Sequence, residues 1–282
     1  MRSLSIGYSP CPNDTFIFYA LVHGKIDTGG FIFEETLLDV ETLNRMALGS
    51  QLDITKISYH AFGFLREDYC LLRSGSALGR GCGPLIISKD GNALKSLQGK
   101  RIAIPGRLTT ANLLLQLFSS DSGIVFSSQI EMPFDRIMYS VSKGDVDAGL
   151  LIHEGRFTFH RYGLKKIVDL GEWWENETGL PLPLGGILAK KNLGNGVIKK
   201  VDSLVRRSIE YALSHKEETR VYIKQHSREL EDQVIEQHIN LYVNDYSLDI
   251  GDEGLSAVKG LFKKAEMRGI LKESGDDLLC VM

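Results

Sequence analysis

A histidine at position 153 stands at the end of a short apolar run, residues 148–152. A run of this length is typical of a strand buried on both faces of a sheet. In open α/β sheets ligands bind beyond the carboxyl ends of such strands, and an imidazole, whose pKa lies near ~6.5, suits a general base. His153 is therefore the candidate base, although a histidine that only caps the strand fits the same pattern. Glu154 is a poor candidate to orient it, because adjacent strand residues point to opposite faces.

A second suggestive stretch is the turn S-P-C-P-N-D-T-F at residues 9–16. Its two prolines forbid helix and fix a rigid turn, after which Asn13 or Asp14 is expected to cap a helix. A strand, a stiff polar turn and a capped helix together favour a loop that faces a ligand with its backbone N–H groups. An ordinary strand-to-helix connection is the alternative, and Cys11 is expected to be a small loop residue.

Two further positions place polar groups at the ends of predicted elements. Lys56 supplies a cation and Ser58 a hydroxyl where another strand ends. Thr109 and Thr110 precede a leucine-rich helix, whose first turn offers free N–H groups and the positive end of the helix dipole to a carboxylate. Capping needs only one threonine, so simple capping remains the alternative there.

Other conspicuous residues are expected to be structural. The glycine-rich stretch 74–84 lacks the G-K-[ST] ending of a Walker loop and precedes a strand, so Arg80 within it is a weak candidate for the site. Trp173 and Trp174 fit core or inter-lobe packing. His238 fits a solvated or packing role, because no H-E-x-x-H pair is present.

Composition argues against several classes of protein. The 282-residue chain carries 33 basic and 36 acidic residues without a basic stripe, so no nucleic-acid partner is expected. No run approaches the ~18 apolar residues of a membrane span, and the first residues do not resemble a signal peptide, so a cytoplasmic protein is expected. The four cysteines form no C-x-x-C pair, which argues against zinc, redox and disulfide frameworks.

Strands and helices alternate along the chain, which predicts an α/β fold with mixed sheets flanked by helices. Two glycine-led apolar strands, at residues 83–90 and 185–192, each end in lysine and a polar turn. Such a pair is expected where a chain crosses into a second lobe and returns. We therefore predict one lobe of residues 1–88 and 191–282, a second lobe of residues 89–190, and a ligand cleft between the two lobes.

Several motifs extend this prediction to a family. L-x-G-K-x-I-A-I-P-G and G-D-V-D-A-G are similar to segments of the type II periplasmic-binding-protein superfamily, which implies a fold but no function. A closer resemblance, over essentially the whole chain, is to the 1,4-dihydroxy-6-naphthoate synthase family of the futalosine route to menaquinone. The segments that carry it are residues 9–16, 55–59, 79–81, 105–111 and 152–157.

The resemblance implies a carbon–carbon lyase that converts cyclic dehypoxanthinyl futalosine to 1,4-dihydroxy-6-naphthoate and a small sugar-derived fragment, dihydroxyacetone. It makes His153 the proton acceptor and makes the substrate a small anionic molecule. Residues expected to line the substrate are Lys56, Ile57, Ser58, Thr109 and Thr110, with Asn13 and Asp14 from the rigid turn. No cofactor and no metal are expected, and the oligomeric state stays open, with a homodimer as one option.

Two other functions remain as alternatives. A cytoplasmic binding protein for a small carboxylate would share the fold without doing chemistry, but such proteins usually carry a signal peptide. The sibling enzyme of the same pathway, a chorismate dehydratase, also shares the fold. The S-P-C-P-N-D-T start and the H-E-G-R-F turn argue against the dehydratase.

Overall fold

The computed structural model describes residues 2–91, 94–228, 231–273, 275 and 277–280. In chain order the helices and strands are β1 (Arg2–Tyr8), α1 (Pro12–Val22), β2 (Phe31–Leu37), α2 (Val40–Leu48), β3 (Ile54–Ser58), α3 (Tyr59–Phe62), β4 (Tyr69–Leu71), β5 (Ala77–Gly79), β6 (Leu85–Ser88), β7 (Arg101–Ile104), α4 (Thr110–Ser122), β8 (Ser128–Glu131), α5 (Phe134–Lys143), β9 (Ala148–Leu151), α6 (Gly155–Thr158), β10 (Lys165–Asp169), α7 (Leu170–Thr178), β11 (Leu182–Lys190), α8 (Asn195–Ser214), α9 (Lys216–His226), α10 (Asp232–Tyr242), α11 (Asp245–Leu248) and α12 (Gly251–Met267). None of the helices in these described ranges is both long and apolar enough to cross a membrane.

The chain folds into two compact units. The first comprises residues 1–79 and 183–282, and the second comprises residues 80–182. These divisions differ from the predicted lobe boundaries after residues 88 and 190. Strand β6 belongs to the second unit because it pairs with β9 and β10, whereas nearly all of β11 belongs to the first because it pairs with β3 and β4.

The first unit is built on a mixed sheet with strand order β2-β1-β3-β11-β4, and β5 pairs with β11. Strand β1 runs parallel to β2 and β3, and β11 runs antiparallel to β3. Gly185 lies opposite Ser58 in this antiparallel pair, and a Cβ at Gly185 would stand 2.6 Å from the carbonyl oxygen of Ile57. The close approach of β11 to β3 therefore requires glycine at position 185.

Helix α1 lies in the core of the first unit, and every residue from Pro12 to Leu21 is buried. It packs against α8, α9 and α10, as expected for a helix that is apolar on all sides from Phe16 onward. The helix begins at Pro12 with Cys11 as N-cap, so the expectation that Asn13 or Asp14 would be the cap was wrong. The reason is that proline is well tolerated in the first turn of a helix, where its missing N–H would have no partner.

The second unit holds a five-stranded mixed sheet with strand order β10-β6-β9-β7-β8. Strand β7 runs parallel to β8 and β9, and β6 runs antiparallel to β9. All four residues of β9 are buried, which confirms the prediction of a strand buried on both faces before His153.

The expectation against disulfides was wrong at one pair of cysteines. Cys70, in β4, and Cys280 form a disulfide across 210 residues of sequence. The segment around Leu279 forms a parallel bridge with Leu71, which brings the two cysteines together. Rules based on short cysteine spacings do not detect so distant a pair, because only the sheet places its members side by side.

Candidate active site

Asp14 is the centre of a buried polar cluster in the first unit. One carboxylate oxygen accepts hydrogen bonds from the backbone N–H and the hydroxyl of Ser9, at 3.2 and 2.7 Å. The other accepts from the side-chain amide of Asn13 and lies 2.8 Å from the Lys56 ammonium. The Asp14 and Lys56 side chains are only 7% and 6% exposed, so two buried charges here compensate each other.

The sheet explains why these residues meet. Strands β1 and β3 are parallel, with Gly7 paired to Thr55, so their carboxyl ends lie at the same edge. Ser9 follows the end of β1, and Lys56 follows Thr55 within β3. The rigid turn then carries the chain into α1, whose first turn supplies Asn13 and Asp14 to the same edge. The polar groups of Ser9, Asn13, Asp14 and Lys56 thus reach this edge from the end of β1, the start of α1 and the strand β3.

Ser58 has different partners from Lys56, although the pleat places both on one face of β3. Its backbone N–H donates to the side-chain carbonyl of Asn44 in α2, whose amide nitrogen donates to the Ser58 hydroxyl at 3.2 Å. Ile57 is buried and points to the opposite face of the strand. Of the residues expected to line the substrate, Ile57 is the one whose side chain the strand geometry supports least.

One polar contact of this cluster was not expected from the sequence. His238, in α10, is fully buried, and its Nε2 lies 2.9 Å from the side-chain carbonyl oxygen of Asn13. The packing role expected for His238 is therefore incomplete, because the ring also has a polar partner in the cluster. No motif signals this contact, since the two residues are 225 positions apart.

The second unit contains the threonine pair. Thr109 is the N-cap of α4: its hydroxyl accepts from the backbone N–H of Asn112 and donates to the carbonyl of Gly106 at 2.8 Å. Thr110 is the first helical residue and is buried. The first turn of α4 carries no acidic residue that would compete for an anion. The capping role is thus filled by Thr109, and Thr110 is not required for it.

His153 lies just beyond the carboxyl end of β9, in the same unit. Its backbone has a φ of +55°, in a region that residues other than glycine rarely occupy. The ring is partly exposed and lies 5.1 Å from the ring of Phe134, measured between centroids. A backbone of this kind costs about 1–3 kcal/mol and persists only where the surrounding structure enforces it, and such residues are enriched at functional sites.

The turn that carries His153 is fixed by Arg156. The Arg156 guanidinium donates to the Asp169 carboxylate at 2.8 Å and to the carbonyl of Gly83. The chain has left the strand by residue 153, so the alternation used to dismiss Glu154 does not apply. A Glu154 carboxylate oxygen and a ring nitrogen of His153 lie within 4.8 Å of each other.

The residues expected to be structural have structural contacts. Trp174 is fully buried and donates through its indole N–H to the carbonyl of Pro181, and Trp173 packs edge-on against Phe118. The packing interpretation of both tryptophans is confirmed. Arg80 donates to the carbonyl of Gly179 within the second unit.

Comparison with known proteins gives the same family as the motifs. A family model described as menaquinone biosynthesis matches residues 4–267. The 1,4-dihydroxy-6-naphthoate synthase of Thermus thermophilus is 53% identical over 274 residues, which cover 97% of this chain and 98% of that protein. The enzyme of the same name from Streptomyces coelicolor is 42% identical over 280 residues, which cover 98% of each chain.

Solved structures agree with the fold. The crystal structure of protein AF1704 from Archaeoglobus fulgidus has a TM-score of 0.89 and 39% identity, covering 95% of this chain and 98% of that one. The alkanesulfonate-binding protein SsuA from Xanthomonas axonopodis pv. citri has a TM-score of 0.74 at 14% identity, covering 100% and 98%, and so supports the fold alone. The prediction of an α/β fold like that of type II periplasmic binding proteins is thus confirmed. The family model and the two synthases together establish that the chain is an enzyme of the 1,4-dihydroxy-6-naphthoate synthase family of menaquinone biosynthesis.

Proposed function

We propose that the enzyme cleaves cyclic dehypoxanthinyl futalosine to 1,4-dihydroxy-6-naphthoate and dihydroxyacetone, with His153 as general base. The neutral imidazole removes a proton from the substrate, and the electron pair left behind drives cleavage of a carbon–carbon bond. Formation of an aromatic ring favours the forward direction. The cleavage divides one molecule into two without net oxidation or reduction.

The observation that carries the proposal is the backbone of His153. A left-handed φ at the carboxyl end of β9, held by the Arg156 contacts, costs free energy that simple packing would not demand. This cost is explained if the turn exists to aim an imidazole at a ligand. Glu154, within 4.8 Å, is suitably placed to stabilise the imidazolium that forms after proton removal.

The N-terminus of α4 is the proposed site for the substrate carboxylate. Thr110 is the first residue of the helix, directly after the capping Thr109, and the helix provides N–H groups and a positive dipole end. These donors bind substrate and transition state alike, because the carboxylate does not change charge during the cleavage. They are therefore expected to influence KM more than kcat.

The polyol-derived portion is assigned to the Asp14 cluster. Hydroxyl groups both donate and accept, so they suit an edge that presents a carboxylate, an ammonium and an amide side by side. Ser58, held by Asn44, adds a hydroxyl at the end of the same strand. The side chain of Ile57 points to the opposite face of β3, so any contact of this residue with the substrate is through the backbone.

The test is turnover of cyclic dehypoxanthinyl futalosine, followed by absorbance of the naphthoate product, in wild type, His153→Ala and His153→Asn. Asparagine is the matched control, because it tolerates a left-handed backbone yet cannot act as a base. Both variants are expected to lose about 10²-fold or more in kcat, the scale of general-base catalysis. Thermal unfolding should distinguish them, with His153→Asn the more stable.

Three outcomes would overturn parts of the proposal. Binding without turnover by the wild type would favour a carboxylate-binding protein, and loss of water from chorismate would favour a dehydratase. Turnover that survives both substitutions would keep the lyase and remove His153 as its base.

A further inference from the structure

We infer that His238 is a positioning residue that sets the orientation of the Asn13 amide and, through it, of the Asp14 carboxylate and the Lys56 ammonium. The inference rests on the proposed function insofar as the Asp14 cluster binds the substrate. It assigns a role at the site to a histidine of α10 that carries no motif.

The burial of His238 requires a polar partner. The residue is fully buried on α10, which packs against α1, and it lies among apolar side chains such as Ile235. Its ring also contacts the ring of Tyr242 at 4.7 Å between centroids. A buried imidazole without hydrogen bonds would destabilise the fold, so the contact of Nε2 with Asn13 at 2.9 Å is a structural requirement as well as a link to the cluster.

The direction of each hydrogen bond follows from the carboxylate. An ionised Asp14 can only accept, so the Asn13 group that faces it at 2.8 Å must be the NH₂. The carbonyl oxygen of the same amide then faces His238, and a carbonyl can only accept. His238 must therefore carry its proton on Nε2, which fixes the neutral ring as the Nε2–H tautomer.

This chain of donors gives His238 control over the cluster. Without the Nε2–H donor, the Asn13 carbonyl is buried without its partner in α10, and the bond to Asp14 alone holds the amide. The amide can then tilt, and the Asp14 carboxylate that it holds beside Lys56 is no longer fixed in one orientation. The cluster would then lose its alignment.

The first experiment compares His238→Gln with His238→Asn. The amide nitrogen of glutamine reaches about as far along the side chain as Nε2 of histidine, whereas that of asparagine is one bond shorter. His238→Asn and His238→Phe are expected to raise KM for cyclic dehypoxanthinyl futalosine by about 10-fold, the effect of one lost buried hydrogen bond. His238→Gln should restore KM to within about 3-fold of wild type, and kcat should change little in all three.

Ile235→Ala is the matched control for packing. Ile235 is buried on the same helix and has no polar group, so its truncation should lower the melting temperature without raising KM. If His238→Phe lowers the melting temperature like Ile235→Ala and leaves KM unchanged, His238 is only a packing residue. The inference would then be wrong while the lyase stands.

A second measurement does not depend on turnover. In ¹⁵N-labelled protein, long-range ¹H–¹⁵N correlation spectra identify which ring nitrogen of each histidine carries the proton, and His238→Gln assigns the signal. The Nε2–H tautomer is expected for His238, and Asn13→Ala should perturb its Nε2 resonance. An Nδ1–H tautomer would overturn the inference whatever the substrate is, and failure of wild-type turnover would overturn only the proposed function.

Discussion

At the scale of single residues, the Asp14 cluster shows how a buried charge is held at the carboxyl ends of two parallel strands. Asp14 has donors from Ser9 and Asn13 besides Lys56, whereas the ion pair with Asp14, at 2.8 Å, is the electrostatic contact that neutralises Lys56. The two partners therefore depend on each other unequally. Removing the carboxylate leaves a buried ammonium without a counter-charge, but removing the ammonium leaves a carboxylate that keeps three hydrogen bonds.

This asymmetry predicts the effects of two substitutions on stability. Asp14→Asn should lower the free energy of unfolding by about 3–5 kcal/mol, the cost of breaking a buried ion pair from one side. Lys56→Met should lower the free energy of unfolding by clearly less. The double variant should be more stable than Asp14→Asn alone, because it no longer buries an unpaired ammonium. Urea unfolding of all four proteins measures the coupling. If the two single variants lost equal free energy of unfolding, and the double variant lost their sum, Asp14 would not have more compensating contacts than Lys56.

Sequence reasoning located most of the polar residues at this scale, because they follow strands and carry recognisable chemistry. The position of His153 just beyond β9 and that of Lys56 near the end of β3 were recognised in this way. His238 was not, because a helix of a distant part of the chain brings it to Asn13. The reason for setting Glu154 aside does not hold, since the sequence does not show that the strand ends at Leu151 and the chain turns.

At the scale of elements, the contact between β3 and β11 sets the geometry of the polar edge. Gly185→Ala would push a methyl group to 2.6 Å from the rigid carbonyl of Ile57, so the strands must separate. We expect a loss of about 2–4 kcal/mol in the free energy of unfolding, as for other cases of overpacking or backbone strain. KM should also rise, because Lys56 and Ser58 lie on the displaced strand.

Gly196→Ala is the control for this substitution. Gly196 lies in α8 with nothing within 4 Å of an added Cβ, so alanine there should be neutral or stabilising by up to about 1 kcal/mol. Guanidinium unfolding of both variants makes the comparison. A Gly185→Ala protein as stable as Gly196→Ala would mean that β11 can retreat from β3 without cost.

The alternation of strands and helices was predictable at this scale, but the ends of the units were not. Both crossover strands were recognised from their glycine-led apolar sequences, yet they join different units. The unit that each strand joins is decided by the strand with which it forms hydrogen bonds. Strand β6 bonds to β9 of the second unit, and β11 bonds to β3 of the first. Hydrogen bonds between distant strands leave no periodic signal in either strand alone.

At the scale of the whole molecule, the Cys70–Cys280 disulfide closes most of the chain into a loop. Closing so long a loop restricts the unfolded state, and such cross-links contribute about 2–4 kcal/mol. Dithiothreitol should therefore lower the melting temperature of the wild type and leave that of Cys70→Ser/Cys280→Ser unchanged. Titration of the denatured, unreduced protein should find two thiols, from Cys11 and Cys82. Four thiols, or equal melting temperatures with and without reductant, would exclude the cross-link.

Buried tyrosines give the molecule a stability that depends on alkaline pH. Burial, with smaller effects of Asp53 and Asp68, raises the pKa of Tyr69 to about 12, and burial also raises the pKa of Tyr8, Tyr59 and Tyr222. The unfolded chain releases these protons near pH ~10 while the folded protein keeps them. The free energy of unfolding should thus be level below pH ~10 and fall above it, by up to about 1.4 kcal/mol per pH unit for each tyrosine.

Tyr69→Phe should make this alkaline decline shallower, because one proton no longer distinguishes the two states. Tyr139→Phe is the control, since Tyr139 is 52% exposed in the folded protein. Urea unfolding between pH 8 and pH 11 measures the slopes. A decline that is the same in wild type and Tyr69→Phe would show that Tyr69 titrates alike in both states.

The interruption of the first unit by the second has a consequence for synthesis on the ribosome. Strand β3 ends at Ser58, and its antiparallel partner β11 begins at Leu182, so about 125 residues separate them, or roughly 6–25 s of elongation at about 5–20 residues per second. The second unit, residues 80–182, is continuous and is translated in full within that interval. Until β11 arrives, β3 is an unpaired edge of the nascent sheet, with its N–H and C=O groups open to other strands. During this interval, residues 54–58, which later present Lys56 and Ser58, are therefore a segment that a chaperone would have to protect from pairing with other strands.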